Sequence, residues 1–347
     1  MVTATDIAPV TFQYSHVIGR QEVRSGNGFF NPVAITRDGN GLLYVLSRGT
    51  ETPAFFPCKR VTVFNPDEEE VLAEFGQKIP PEDADETTPN GSFMWPTSVA
   101  LDSHGYAYVA DEWLNRISIY DQERGNWIGM WGIPGDAPGE IDRPAGLAFD
   151  KNDNLYMVES RNHRVSVFTK DGKYQFGWGG KGDGDGQFNL PWGIEIDHNG
   201  DVYVADWRND RIQKFAPDGT FLMKFGESGD GEGQFNRPTG VAVDKDGHIF
   251  VTDYKNDRVQ VFREDGGYVT TMRGQAGLSK WGAERVYLDP TIVQARNRAL
   301  NLQEREGAFQ GPIAVEVDDD GRVFVLETAR HRVQVFSKQT AMFAGEL

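Results

Sequence analysis

The segment RPTGVAVDKDGHIFVTDYKNDRVQVF, residues 237–262, decides the fold. Apolar and polar residues alternate on either side of short Asp, Asn and Gly turns, and this period of two predicts antiparallel β-hairpins. Close copies occupy residues 95–120, 143–168 and 190–215, and divergent copies occupy residues 31–64 and 311–336. The chain therefore contains six units that recur about every 47 residues in its best-conserved part.

Each unit predicts four short strands. The first follows a proline and ends in Asp, the second resembles YVAD, the third resembles RIQKF, and a fourth follows in most units, as in residues 175–179. Six such units predict an all-β fold, a six-bladed β-propeller of four-stranded antiparallel blades. We expect one domain over residues 1–347, with blades beginning near residues 31, 95, 143, 190, 237 and 311.

The two ends of the chain are predicted to meet in blade 6. The sixth unit lacks a convincing outer strand, whereas residues 12–19 precede the first blade as an outer strand precedes the next blade elsewhere. We therefore expect residues 12–19 to complete blade 6, which removes an open sheet edge and closes the ring.

The repeated elements P-x-G-[IV]-x-x-D, Y-V-x-D and N-x-R-[IV]-x-x-F resemble those of the NHL-repeat family over residues 11–336. The resemblance implies the propeller fold but no single activity, because such folds host many functions. It also extends distantly to the peptidyl-hydroxyglycine amidating lyases, whose zinc histidines directly follow the blade proline. In this chain those positions hold Val33, Thr97, Ala145, Trp192, Thr239 and Ile313. The resemblance therefore does not carry the zinc site of those lyases.

Composition restricts the partners. The 35 basic and 52 acidic residues give a net charge of −17, which predicts no binding of nucleic acid or of an anionic membrane. The single cysteine, Cys58, excludes an intrachain disulfide. The first residues do not resemble a signal peptide, and no stretch is apolar for long enough to span a membrane. These features predict a cytoplasmic protein.

Most repeated charges are predicted to be structural. In five units an acid ends the second strand and an arginine opens the third, five residues later, so that a hairpin brings them together. The pairs are Asp111/Arg116, Glu159/Arg164, Asp206/Arg211, Asp253/Arg258 and Glu327/Arg332.

Function is expected where the units differ. Insertions at residues 49–59, 77–93 and 275–310 should share one end of the ring, here called the top face, which carries the loops between second and third strands and the connections between blades. The largest insertion is predicted to contain a helix that Pro290 opens. The insertions predict a lid or wall over the central mouth; the alternative is surface decoration or an oligomer contact.

Two sets of side chains are candidates for a site. Aromatic and cationic residues of the top face predict binding of a small polar or anionic molecule. They are Trp113, Arg161, Trp192, Trp207, Arg208, Tyr254 and Lys255. Glu195 and Glu316 replace small residues on inner strands and predict either a catalytic base or two ligands of a divalent cation such as Ca²⁺ in the central channel. The alternative for this pair is solvated acids in a water-filled channel.

These features predict an enzyme, a hydrolase or lyase, that acts on a small polar or anionic molecule in a central pocket of the top face. The alternative is a non-catalytic scaffold whose top face holds a protein partner. The sequence contains no nucleophile triad, zinc motif or nucleotide motif to decide between them.

Overall fold

The computed structural model describes residues 10–22, 26–50, 58–76, 90–122, 125–287, 291 and 306–340. It confirms six four-stranded antiparallel blades around a central channel. In blades 1 to 5 the strands follow chain order from the channel outward. No helix in the described part of the chain is both long and apolar enough to cross a membrane.

The strands of each blade are given from the inner to the outer position. Blade 1 has Pro32–Arg37, Leu43–Ser47, Arg60–Asn65 and Glu70–Phe75; blade 2 has Pro96–Leu101, Ala107–Asp111, Arg116–Tyr120 and Trp127–Trp131; blade 3 has Pro144–Phe149, Asn154–Glu159, Arg164–Thr169 and Tyr174–Gly179; blade 4 has Ile194–Ile196, Val202–Asp206, Arg211–Phe215 and Phe221–Phe225; blade 5 has Pro238–Val243, Ile249–Asp253, Arg258–Phe262 and Tyr268–Met272; blade 6 has Pro312–Val317, Arg322–Glu327, Arg332–Thr340 and Val10–Ile18.

The chain ends meet as expected. The N-terminal strand Val10–Ile18 pairs antiparallel with Arg332–Thr340 and forms the outer strand of blade 6. Val17 and Ile18 are buried, and the ring of Phe12 lies edge-on to Phe250 of blade 5 with centroids 5.6 Å apart. The closing strand therefore adds to the apolar core as well as to the sheet.

Apolar contacts between neighbouring blades form the core. The alternating pattern of each strand places one row of side chains on each face of a blade, and each face is covered by one of the two neighbouring blades. The ring of Phe215 in blade 4 lies 5.5 Å from Trp178 and 5.6 Å from Phe188, which belong to blade 3 and to the connection after it. The cores of the six blades are thus joined into one ring.

The predicted ion pairs form in four of the five blades. In blade 4, Arg211 Nε lies 2.8 Å from Asp206 Oδ2, and its other nitrogens donate to the carbonyl oxygens of Asp183, Gly184 and Gln187. The matching pairs are Glu159/Arg164, Asp253/Arg258 and Glu327/Arg332. Each arginine therefore ties the turn between two strands to the preceding blade connection.

Blade 2 differs from this pattern. Asp111 accepts the backbone N–H groups of Met94 and Trp95, and Arg116 donates to the carbonyl of Ser92 at 2.9 Å. Both side chains fix the connection before the blade, but they do so separately.

A second repeated contact joins neighbouring blades. In blades 2 to 6 the residue before the arginine that opens the third strand has a positive φ, and its side chain accepts the backbone N–H that precedes the next blade's proline. The donor and acceptor pairs are Arg143/Asn115, Leu190/His163, Arg237/Asp210, Gly311/Asp257 and Asn31/His331. Burial lowers the pKa of His163 and of His331, so both imidazoles accept these bonds in the neutral form.

The insertions lie partly outside the described residues. The helix predicted after Pro290 does so, as does most of the lid predicted from residues 49–59 and 77–93. The described part of residues 275–310 contains a short helix, Lys280–Tyr287. Its buried Trp281 donates to the carbonyl of Glu69 and contacts Phe29 and Phe64. This helix packs beside the closing strand and blade 1, at the side of the ring.

Candidate functional site

The inner strands enclose a narrow central channel. Glu195 and Glu316 lie on its wall together with small residues of all six blades, as the sequence predicts. The channel has a free volume of about 90 Å³. Pockets for organic ligands usually need roughly 300–1,000 Å³, so the channel holds a few waters or an ion but no organic substrate.

The two glutamates titrate together. Burial raises the pKa of Glu195 well above its ordinary value, and the charges of Glu316 and Asp197 raise it further. Burial also raises the pKa of Glu316, to about 7, while the Arg37 guanidinium opposes this increase. The pair therefore retains a proton close to neutral pH. Because Arg37 already supplies a positive charge, a further cation such as Ca²⁺ gains less there than beside two isolated carboxylates.

Glu195 lies deep in the channel. It pairs with Tyr203 two residues before the turn at Asp197, which faces the end opposite the top face, here called the bottom face. Trp192, three residues earlier, stands at the top end of the same segment. At about 3.3 Å per residue, Glu195 lies on the order of 10 Å below it.

A second cavity opens on the top face between blades 2, 3 and 4. It has a volume of about 470 Å³, within the range of small-molecule pockets. The lining residues are Glu112, Arg143, Ser160, Arg161, Leu190, Trp192, Trp207 and Arg208. Trp192 lines both this top pocket and the channel, so the two cavities adjoin at this residue.

The top pocket is positively charged. Arg143, Arg161 and Arg208 contribute three guanidinium groups, whereas Glu112 is the one lining acid and is paired with Arg48. Arg161 contacts Asp142 only at 3.6 Å and is 65% exposed. The guanidinium of Arg208 lies 5.1 Å from the centre of the Trp207 ring, a cation–π distance. This local excess of positive charge contrasts with the net charge of −17 of the chain.

Backbone hydrogen bonds fix the pocket wall. The N–H of Ser160 donates to the carbonyl of Arg143, and the N–H of Arg208 donates to that of Asn189, both at 3.0 Å. The hydroxyl of Ser160 donates to the carbonyl of Pro191. Each loop that follows a second strand is therefore hydrogen-bonded to a neighbouring blade connection. These bonds fix the backbone that carries the pocket side chains.

The family comparison agrees with this architecture. The NHL repeat model matches residues 142–168, 188–215, 235–262 and 309–336. The chain is an NHL-repeat propeller. The matched segments coincide with the first three strands of blades 3 to 6, whereas blades 1 and 2 have diverged from the model.

Solved structures resemble this NHL propeller in fold. A structural genomics protein of unknown function from Bacteroides thetaiotaomicron is 16% identical with a TM-score of 0.61, covering 95% of this chain and 76% of that one. A streptogramin B lyase is 12% identical with a TM-score of 0.55, covering 93% and 98%. Virginiamycin B lyase from Staphylococcus aureus is 13% identical with a TM-score of 0.53, covering 94% and 99%. Comparison with curated protein sequences gives no match.

The NHL propeller brings together four of the seven predicted ligand-binding residues. Arg161, Trp192, Trp207 and Arg208 line the top pocket. The other three are not among its lining residues. Trp113 is 58% exposed and its ring contacts Trp95; Tyr254 packs against the core shared by blades 6 and 1, with the Lys255 ammonium above its ring.

The sequence interpretation missed Arg143 as a lining residue of the NHL propeller and placed the pocket at the central mouth. A signal was present, because an arginine directly precedes the blade proline only at Arg143 and Arg237. In the structure the first lines the top pocket, and the second lies over the Trp207 ring at 4.9 Å.

Neutralising the channel glutamates of the NHL propeller should stabilise it at alkaline pH. A carboxyl group whose pKa is raised in the folded state favours folding below its unfolded pKa and loses that contribution as pH rises through the folded value. We therefore expect wild-type stability to fall between about pH 5 and pH 8. Glu316→Gln should gain on the order of 1–3 kcal/mol at pH 8 and less at pH 5. Chemical denaturation at several pH values measures this.

Glu195→Gln should behave in the same way, because either amide removes the mutual repulsion. A glutamine variant that is less stable than the wild type at pH 8 would contradict this account of the channel. If Ca²⁺ raises the melting temperature of the wild type at pH 8 but not that of either variant, the pair holds the cation instead.

Proposed function

We propose that this NHL propeller binds a small organic anion with a flat ring in its top pocket. The observation that carries the proposal is the grouping of three arginines around two tryptophans in a cavity of about 470 Å³ on an acidic protein. The like charges of the three guanidinium groups repel each other, and Glu112, the one acid that lines the pocket, is already paired with Arg48. An anionic ligand removes that repulsion when it binds.

The geometry assigns separate roles to the two kinds of side chain. Trp192 and Trp207 contribute aromatic rings to the pocket, and Trp192 also borders the channel. Arg208 and Arg237 lie 5.1 and 4.9 Å from the centre of the Trp207 ring, so this ring presents bound cations together with its apolar edge. Arg161 and Arg208 each carry a planar guanidinium group that can donate two parallel hydrogen bonds to a carboxylate, phosphate or sulfonate group. We expect the ring of the ligand to lie against tryptophan and its anionic group to bind between the arginines.

As an enzyme, the chain would belong to the predicted hydrolase or lyase class. The streptogramin B and virginiamycin B lyases share its fold at 12% and 13% identity, which supports no transfer of their substrates. A reaction in the top pocket needs a base there, and Glu112 is its lining carboxylate. Glu195 and Glu316 stay candidates only for chemistry on water or an ion, because the channel that they line has a free volume of about 90 Å³.

The scaffold function has one observation of its own. Trp113 exposes 58% of its surface on the top face beside Trp95, whose ring also lies under the Arg48 guanidinium. Exposed tryptophans of this kind are common binding hot spots between proteins. In a scaffold, Trp113→Ala should weaken partner binding and leave the top pocket unaffected.

Removing one pocket side chain should weaken binding of an anionic aromatic probe. The probe is 8-anilinonaphthalene-1-sulfonate, measured by fluorescence titration. Trp207→Ala should cost about 1–3 kcal/mol of binding free energy, the scale of a buried aromatic anchor. Arg208→Ala should cost about 1.5–3 kcal/mol, the scale of a hydrogen bond between charged groups.

Lys255→Ala is the matched control. Lys255 is the corresponding cation of blade 5 and also covers an aromatic ring, but it is not among the lining residues of the top pocket. Its removal should leave probe binding unchanged. Equal losses in the three variants would mean that the probe senses general surface charge, and the proposed pocket would then be wrong.

A further inference from the structure

The bottom face repeats one aspartate in every blade. It follows the first strand, and its Oδ1 accepts two backbone N–H groups of the turn, as Asp102 Oδ1 does from His104 and Tyr106. The second oxygen, Oδ2, is left for side-chain partners of the same blade or of the next blade. The six residues are Asp38, Asp102, Asp150, Asp197, Asp244 and Asp318.

Five of these six Oδ2 atoms have a donor within hydrogen-bond distance. Amide or hydroxyl groups donate to the Oδ2 atoms of Asp38, Asp150 and Asp197. The Arg322 guanidinium donates to Asp318 at 2.6 Å, and the Lys338 ammonium donates to Asp244 at 2.5 Å. Asp102 is the exception. It is 5% exposed, and its Oδ2 is a buried oxygen without a hydrogen-bond donor among the residues the structure describes.

Two further side chains that can bind metal lie close to the Asp102 carboxylate. Ligand atoms of Asp102, His104 and Asp153 lie within 4.8 Å of one another. Asp153 comes from the corresponding turn of blade 3, and Ser103 holds it by two hydrogen bonds of 2.8 and 2.9 Å. Such second contacts orient a carboxylate ligand. Two ligand atoms bound to the same metal ion lie less than about 4.4 Å apart. The three side chains therefore need only a small movement to bind one ion together.

In blade 5 the aspartate equivalent to Asp102, Asp244, binds a cation. Its cluster of Asp244, Asp246 and His248 surrounds the ammonium of Lys338, with contacts of 2.5, 2.7 and 3.0 Å. The residue equivalent to Lys338 beside Asp102 is Lys170, since both lie six positions after the pairing arginine. Lys170 stays 37% exposed and reaches only Asp153, at 3.7 Å.

Tyr108 is the other polar neighbour of Asp102. It corresponds to Tyr203, whose hydroxyl donates to Asp197 Oδ2 at 3.3 Å. In blade 2 burial and the charge of Asp102 raise the pKa of Tyr108, so its neutral hydroxyl lies near this carboxylate, but it makes no well-formed hydrogen bond to Oδ2. The oxygen thus remains available to a ligand.

We propose that Asp102, His104 and Asp153 form a binding site for a divalent transition-metal ion of the zinc type. Two carboxylates and one imidazole suit zinc, whereas Ca²⁺ and Mg²⁺ prefer oxygen ligands alone. His104 is 63% exposed, so the ion enters from solvent and keeps a water ligand. The ion links blades 2 and 3 on the face opposite the top pocket.

Calorimetric titration of metal-free protein with ZnCl₂ tests the site. We expect one saturable equivalent, and we expect Asp102→Asn and His104→Ala each to weaken binding by more than about tenfold. Asp246→Asn, which changes an acid of the cluster that Lys338 fills, is the control and should bind as the wild type does. Lys338→Met should expose the blade 5 cluster and add a second equivalent.

Several results would overturn the assignment. They are the lack of saturable Zn²⁺ binding, equal affinity for Ca²⁺, and Zn²⁺ binding that neither Asp102→Asn nor His104→Ala alters. His104 is exposed and its replacement should not disturb folding, so this variant decides the outcome if Asp102→Asn fails to fold. The melting temperatures of Asp102→Asn and of the wild type are compared in EDTA. A lower value for the variant in the absence of metal means that it fails to fold properly, and equal values mean that it has lost only the metal.

Discussion

Arg211→Ala should lower the free energy of unfolding by about 2–4 kcal/mol, since it leaves Asp206 buried without its guanidinium. The Arg211 side chain is 7% exposed and that of Asp206 is fully buried. Burial already raises the pKa of Asp206, against the opposing hydrogen bonds from Asn189, Asn209 and Arg211. Removing the arginine raises this pKa further, so the variant should lose more stability at pH 8 than at pH 5. Urea denaturation at the two pH values measures the difference.

Two variants control this measurement. Arg208→Ala removes an exposed arginine three positions earlier and should leave the melting temperature unchanged. Adding Asp206→Asn to Arg211→Ala removes the uncompensated charge and should recover part of the loss. If Arg211→Ala unfolds at the same urea concentration as the wild type, the pair does not tie the blades together.

Deleting residues 1–20 should destabilise the ring even more. The deletion removes the strand Val10–Ile18, exposes the edge of Arg332–Thr340 and uncovers Phe250. The lost burial of Phe12, Val17 and Ile18 alone amounts to roughly 5 kcal/mol or more, at about 1.5–3 kcal/mol for each apolar side chain. We expect aggregation or a large fall in melting temperature, because an unpaired strand also invites association.

Deletion of residues 1–9 is the matched control, because it spares the strand. It should give a monomer of wild-type stability in size-exclusion chromatography and thermal denaturation. If the longer deletion also gives a stable monomer, the closing strand is dispensable and the ring is held by its other contacts.

The repeat made the fold predictable from sequence. Alternation, turn residues and fixed spacing recur six times, so each unit supports the interpretation of the others. The ion pairs followed from the same logic, because a hairpin of this length brings residues five apart close together. Blade 2 shows the limit: Asp111 and Arg116 have the right spacing, but each is engaged by the preceding connection instead.

The candidate site was predictable only in part. Residues such as Arg161 and Arg208 could be assigned to the top face, but not to one side of it. Their grouping depends on the relative positions of the top-face loops of three blades, which the sequence pattern within each blade does not specify. The depth of Glu195 below Trp192 follows from strand length, whereas the sizes of the channel and of the top pocket depend on side-chain packing that the repeat pattern does not specify. In five blades the side chain before the third-strand arginine accepts an N–H that precedes the next blade's proline, and the spacing alone did not predict this contact.

A paired titration tests the central claim, that the top pocket selects an organic anion. The two probes are 8-anilinonaphthalene-1-sulfonate and N-phenyl-1-naphthylamine, which share their rings and differ in the sulfonate. We predict one binding site that prefers the anion by at least about tenfold, the equivalent of about 1.4 kcal/mol, and a preference that disappears when Arg161 and Arg208 are both replaced by glutamine. Equal affinity for the two probes, or a preference that survives the double replacement, would contradict the account.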